Sequence, residues 1–233
     1  MNTYENVPDV SGNQFLSKVY MWMFLGMLLT AVASYAVMSS ASLQQMFSGT
    51  MIFVLLIIEL IVVVALSWKI DSMSPAMAAA AYIFYAVVSG ITLTPVLTYY
   101  TTASIFIVFL ISAGMFIAMS LVGYFIKRDL SGLGRFFMMA LIGLIIAMLA
   151  NMLLYYISPE TASIMTLLLS VVAVLLFAGL TAYDTQKIKK IGQSMEYGAQ
   201  YSQNLAIICA LTLYLDFINL FLNLLRIFGQ SRN

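Results

Sequence analysis

The stretch 211-LTLYLDFINLFLNLLRIFG-229 consists almost entirely of Leu, Ile, Phe and Tyr, yet it contains a carboxylate in its interior. Its polar residues recur at offsets that place them on one face of an α-helix. They are Thr212, Asp216, Asn219, Asn223 and Arg226. A carboxylate in so apolar a run costs free energy unless it is paired or used. The stretch therefore predicts a membrane-spanning helix with a single polar stripe, and Asp216 is its first functional candidate.

The composition of the whole chain is that of a membrane protein. The 233 residues are 63% hydrophobic and 8% charged, with a mean hydropathy of +1.02, whereas soluble domains carry about 25% charged residues. A net charge of +1 argues against nucleic acid as a partner. One Cys and no His exclude Cys/His zinc sites and His-based nucleophilic catalysis. We expect a protein of the lipid bilayer that is not an enzyme and has no cofactor.

Seven segments are apolar and long enough to cross a bilayer, which takes about 20 residues. They are 19–38, 51–68, 76–97, 103–126, 135–157, 162–183 and 205–228. Together they form one predicted all-α transmembrane domain over 19–229, between a tail at 1–18 and a short tail at 230–233. The connectors are short except for the polar segment 184–204, which is predicted to be a loop.

The distribution of Lys and Arg predicts the orientation. With the N-terminus inside, eight of the ten basic residues lie in cytoplasmic segments; these are Lys18, Lys69, Lys127, Arg128, Arg135, Lys187, Lys189 and Lys190. The loops 39–50, 98–102 and 158–161 contain none. By the positive-inside rule, the N-terminal tail is expected in the cytoplasm and the C-terminus outside.

Four ionisable residues lie within or at the edge of the spans, where charges are rare and commonly functional. Glu59, in the middle of the second span, is either a neutral hydrogen-bonded tie or an element of a cation path. Arg226 either contributes to the path or extends to the outer surface. Asp184 ends the sixth span and is either an interfacial residue close to Lys187 or a partner of Asp216.

A meeting of Asp184 and Asp216 would have a chemical consequence. Two carboxylates that share one site cannot both ionise cheaply, so the pair would hold a proton at lower pH. At higher pH it would present negative charge to a hard cation such as Ca²⁺, which prefers carboxylate ligands. However, Asp216 lies roughly 16 Å along its helix from the inner end. The contact therefore requires the seventh span to start deep or to tilt.

The same two aspartates suggest an enzyme as an alternative. Intramembrane aspartyl proteases carry one Asp on each of two consecutive helices, the first in a Tyr-Asp motif that Tyr183–Asp184 matches. Their second motif, Gly-x-Gly-Asp, is absent, because Asp216 follows Leu-Tyr-Leu. Their later Pro-Ala-Leu element is absent as well, which disfavours a protease.

Four motifs resemble those of the transmembrane Bax inhibitor motif (Bax inhibitor one) family, in its bacterial branch. They are 89-SGITLTP-95, 127-KRDLSGLG-134, 179-GLTAYDTQKI-188 and the stretch 211–229, and the resemblance covers about residues 18 to 229. It implies a seven-helix bundle in which the last helix is central and two groups of three helices surround it. It also implies a pH-sensitive Ca²⁺ leak channel with a proton-titrated aspartate pair, at positions that correspond to Asp184 and Asp216.

The resemblance extends to the second span and also shows a departure. The family's acidic residue there is matched by Glu59 in 57-IIELIVVVALSW-68. Some relatives end this helix with an Arg cluster that latches to the aspartates, whereas this chain has only Lys69, which lacks a bidentate fork.

The expected function is a calcium leak channel of the bacterial inner membrane, with Ca²⁺ as the permeant ion. Asp184 and Asp216 are its expected pH-sensing, cation-attracting residues. The candidates for the cation path are Glu59, Asn219, Asn223 and Arg226. The alternative function is a membrane-embedded regulator that binds and restrains other membrane proteins, such as a protease or stress machinery, without transport.

Overall fold

The computed structural model describes residues 10–193 and 199–232, and this part of the chain is almost entirely helical. Its α-helices are α1 (Val10–Met38), α2 (Ala41–Met46), α3 (Thr50–Lys69), α4 (Pro75–Tyr99), α5 (Thr102–Phe125), α6 (Ser131–Ile157), α7 (Pro159–Gln193) and α8 (Ala199–Phe228). All except the short α2 are long and apolar enough to cross a membrane. The predicted all-α fold with seven membrane-spanning helices is confirmed.

The segment that the sequence predicted to be a loop is helical where the structure describes it. Helix α7 continues past Asp184 to Gln193, and α8 begins at Ala199. The prediction for 184–204 was therefore wrong over most of its length. The physical reason is that this part of α7 is amphipathic: Asp184, Thr185 and Ile188 are buried on one face, whereas Lys187 and Lys190 are exposed. The mean hydropathy of such a segment is low, so an average over it predicts a loop.

Contacts divide the chain into two compact units, and α4, α7 and α8 each contribute residues to both. The first unit comprises Met1–Val96 and Ile188–Tyr214, as far as these ranges are described. Within it, the ring of Tyr82 packs edge-on against Trp22 and Tyr214, at centroid distances of 5.9 and 6.4 Å. The hydroxyl of Tyr214 lies 2.7 Å from that of Thr30. This unit is thus held by buried aromatic rings that also satisfy their polar ends.

A buried amide ties a connector to α8 in the same unit. The side-chain nitrogen of Asn204 donates to the carbonyls of Ile70 and Met73, at 2.9 and 2.8 Å. These carbonyls lie in the connector that follows the end of α3. Asn204 therefore fixes the α3–α4 connector.

The second unit comprises Leu97–Lys187 and Leu215–Asn233. Helix α5 buries a face with four-residue spacing, on which Phe116 packs edge-on against Phe217 of α8 at 5.7 Å. Near its end, Gly123 lies directly against the backbone of Ala182 in α7, with no room for a Cβ atom. This close approach fixes α7 two residues before Asp184.

Helix α8 is the most buried of the seven long helices. In its most apolar stretch 61% of residues are buried, compared with 6% for α3 and for α6. Such burial allows polar side chains to face protein rather than lipid. The central position of this helix between two groups of three stays a prediction.

Candidate functional site

The structure brings Asp184 and Asp216 together, within the second unit. Their side chains are hydrogen-bonded to each other, and their exposed fractions are only 8% and 5%. The other carboxyl oxygen of Asp216, Oδ2, is buried and has no hydrogen-bond partner among the described residues. The sequence left open whether these two residues meet, and in the structure they do.

The sequence suggested that Asp184 ends its helix, and the structure shows that it does not. Helix α7 continues for nine residues beyond it. Lys187 lies one turn further along, close enough for its charge to act on Asp184, as its spacing predicted. Asp184 is therefore a buried residue within a helix.

Gln186 holds this part of α7 against the connector between α5 and α6. Its side-chain oxygen accepts from the backbone N–H of Leu130 at 2.8 Å, and its side-chain nitrogen donates to the carbonyl of Arg128 at 2.9 Å. Gly134, at the start of α6, lies directly against the hydroxyl of Tyr183. Sequence reasoning missed the role of Gln186, and its only signal was a place in the motif 179–188.

The polar stripe of α8 largely bonds to its own helix. The side-chain nitrogens of Asn219 and Asn223 donate to the carbonyls four residues earlier, both at 2.8 Å. Arg226 reaches the side-chain oxygen of Asn223 at a long 3.4 Å. The two amides of the stripe therefore donate to carbonyls of their own helix.

Glu59 belongs to the first unit, where it accepts a hydrogen bond of 2.6 Å from the hydroxyl of Thr92. Thr92 also lies 3.0 Å from the carbonyl of Ser89, one turn earlier in α4. Glu59 is half-buried. This bond is compatible with a structural tie, and both sequence interpretations of Glu59, a neutral tie and a place in a cation path, stay predictions. Thr92 lies within the motif 89–95, but no pattern in the sequence pairs it with Glu59.

Two further residues were candidates in the sequence. Lys69, which stands where some relatives have an Arg cluster, is exposed at the end of α3, in the first unit. Arg226 is exposed and lines a cavity of the second unit. In residues 10–193 and 199–232 there is no cluster of three or more His, Cys, Asp or Glu side chains suited to a metal ion. Asp184 and Asp216 are a pair of carboxyl groups in contact with each other.

The sequence is similar to those of known proteins along nearly the whole chain. The family model described as "Inhibitor of apoptosis-promoting Bax1" matches residues 12–233. "Inner membrane protein YbhL" of Escherichia coli K12 is 43% identical over 230 residues, which are 97% of this chain and 95% of the relative. An uncharacterized protein of Borreliella burgdorferi is 38% identical over 233 residues, 99% and 98% of the two chains. The uncharacterized membrane protein SpyM3_0260 of Streptococcus pyogenes is 38% identical over 227 residues, 96% and 95%.

Proposed function

The chain belongs to the Bax inhibitor-1 family, and we propose that it is a pH-sensitive calcium leak channel gated by Asp184 and Asp216. It is an integral protein of the inner membrane, as its seven long apolar helices and the name of its Escherichia coli relative support. The permeant ion of the proposal is Ca²⁺, and the two aspartates have no catalytic role in it.

The observation that carries the proposal is the buried contact between the two carboxyl groups. Two carboxyl groups can hydrogen-bond only when one of them carries a proton. The contact therefore supports a pair that holds at least one proton, and in the proposal the two aspartates share it. The unpartnered Oδ2 of Asp216 is costly to bury in a purely structural pair. In the proposal this oxygen receives a proton or a cation during function, which explains why an unpartnered oxygen is buried there.

In the proposal, the net charge of Asp184 and Asp216 determines whether the channel is open. With a shared proton, the hydrogen bond holds α7 and α8 together at this point, and the negative charge is low. When the proton leaves at higher pH, two buried carboxylates repel each other and attract a divalent cation. The channel is therefore closed in acid and conducts as the pH rises.

The stripe of α8 supplies the adjoining part of the proposed path. The side-chain oxygen of Asn219, three residues beyond Asp216, is a neutral ligand of the type that Ca²⁺ accepts. Neutral oxygens bind Ca²⁺ weakly, which suits an ion in transit. Arg226 contributes positive charge, which repels Ca²⁺, so it does not serve as a ligand on the path. Glu59 stays a candidate for the path.

The experiment that tests the proposal is Ca²⁺ entry into liposomes that contain only the purified protein and an encapsulated fluorescent Ca²⁺ indicator. We expect entry that rises with pH and exceeds the leak of protein-free liposomes. The control variant is Glu160→Gln, because Glu160 is exposed in the first turn of α7 and its loss removes one carboxylate elsewhere. Folded protein that admits no Ca²⁺ at any pH would contradict the channel and favour a regulator of other membrane proteins.

A further inference from the structure

The second unit contains a cavity of about 350 Å³ that the proposed gate does not use. Its wall is formed by α6, α7 and the end of α8. The lining residues that matter here are Asn151, Met152, Tyr155, Tyr156, Thr166 and Arg226. Met152, Tyr155 and Tyr156 are 61%, 61% and 80% exposed, so the cavity opens on the surface of this unit.

The ends of the helices place this cavity at one border of the membrane. Helix α6 ends at Ile157, α7 begins at Pro159 and α8 ends at Phe228, so its mouth lies where three helices terminate. Asn151 lies six residues before the end of α6, which is about 9 Å along the helix axis. The cavity thus runs from the level of the lipid headgroups into the upper part of the acyl chains.

Hydrogen bonds connect the polar residues in the wall of the cavity. The side-chain nitrogen of Asn151 donates to the hydroxyl of Thr166 at 2.7 Å and to the carbonyl of Ala162 at 3.2 Å. The hydroxyl of Thr166 donates to the same carbonyl at 2.9 Å. These bonds join α6 to α7, and they keep the inner end of the cavity in one shape.

Arg226 is the one charged residue in this lining, and it is not neutralised by the described part of the chain. It forms no ion pair with a carboxylate there, and its bond to Asn223, at 3.4 Å, is weak. A guanidinium presents a planar fork of donors that matches the oxygens of a phosphate. Tyrosines beside it are typical of the level at which lipid headgroups lie. The cavity therefore offers a phosphate site at its mouth and an apolar wall further in.

We propose that this cavity binds an anionic phospholipid, whose phosphate pairs with Arg226 and whose upper acyl chain lies along Met148 and Met152. Free phosphate would satisfy the charge but would leave the methionine side chains and the tyrosine rings without a partner. A zwitterionic lipid brings a cationic group next to Arg226, which weakens its binding. The anionic phospholipid satisfies both the charge and the apolar wall.

Native mass spectrometry of the detergent-purified protein tests this proposal. Phosphatidylglycerol is added in one arm, phosphatidylcholine of the same acyl chains in a second, and inorganic phosphate with phosphatidylglycerol in a third. We expect a preference for phosphatidylglycerol that Arg226→Gln lowers about tenfold, the effect of losing one charge-assisted hydrogen bond. Arg226→Lys should retain part of it, because Lys keeps the charge but lacks the fork.

The matched control is Arg232→Gln, since Arg232 is exposed near the same end of α8 and is absent from the lining of the cavity. An equal loss in the Arg226→Gln and Arg232→Gln variants would overturn the site in favour of general charge attraction. Equal binding of the two lipids by the unmodified protein would also overturn it. Displacement of the lipid by millimolar inorganic phosphate would show free phosphate as the ligand and contradict the lipid.

Discussion

The packing of α5 on α7, which positions Asp184, can be tested by the substitution Gly123→Ala, because the two helices approach each other closely at Gly123. A Cβ atom at residue 123 would overlap the carbonyl oxygen of Ala182 and lie 2.9 Å from both its C and Cα atoms. Ordinary van der Waals contacts of a Cβ begin at 3.4 Å. In Gly123→Ala the two backbones must therefore move apart, since neither partner atom belongs to a flexible side chain.

The loss of stability in Gly123→Ala can be estimated by comparison with a control substitution on the same helix. Gly114→Ala adds the same methyl group to α5, where nothing lies within 4 Å. The gain in helix propensity, about 1 kcal/mol per Gly→Ala, cancels between the two variants. The difference isolates the clash, and overpacking of this kind costs about 1–3 kcal/mol. For a chain of this length, each kcal/mol lowers the melting temperature by about 2–4 °C.

The assay is thermal unfolding in detergent, followed by circular dichroism. We expect Gly123→Ala to melt several degrees below Gly114→Ala, and Gly114→Ala to melt at or slightly above the unmodified protein. Because Ala182 lies two residues before Asp184, Gly123→Ala should also alter the pH dependence of Ca²⁺ entry. Equal melting temperatures for the two variants would refute the close packing of α5 on α7.

Three further predictions concern other parts of the chain. Glu59→Gln should leave the melting temperature nearly unchanged, because Gln still accepts the hydrogen bond from Thr92, and should reduce Ca²⁺ entry into liposomes; unchanged entry would leave Glu59 as a structural tie only. Gln186→Leu leaves a buried N–H and a carbonyl unpaired and should destabilise the protein by about 1–3 kcal/mol in thermal unfolding, whereas Gln45→Leu at an exposed position should not. Tags at the two termini should be reached from opposite sides of the membrane, the N-terminal tag from the cytoplasm; labelling of both from one side would contradict the orientation.

The helices could be predicted from the sequence because the bilayer imposes a simple rule on each span. Seven apolar runs and one polar stripe in the last of them are visible without any long-range information. The stripe also identified Asp216 as a residue that needs a partner. These features are local, and the structure confirms the seven helices.

The geometry of the aspartate contact could not be predicted because it depends on where the helices end. Hydropathy ended the sixth span at residue 183, whereas α7 continues to Gln193, which adds about 15 Å of helix. The seventh span was likewise predicted to begin at residue 205, whereas α8 begins at Ala199. The depths of Asp184 and Asp216 were therefore both measured from incorrect helix ends. The bonds of Thr92 to Glu59 and of Gln186 to Leu130 join residues 33 and 56 positions apart, and no periodicity in the sequence points to them.

The measurement that tests the shared proton most directly is the pH profile of Ca²⁺ entry into liposomes for Asp184→Asn, Asp216→Asn and the double variant. The unmodified protein and Glu160→Gln should admit less Ca²⁺ in acid, with a steep change between about pH 5 and 8. Each single variant should flatten this profile, because the remaining carboxyl group has no like charge to oppose it. The double variant should show the same flat pH profile as the single variants, since the first substitution already removes the coupling between the two carboxyl groups. Two folded single variants that keep the steep profile of the unmodified protein would contradict a gate built on Asp184 and Asp216.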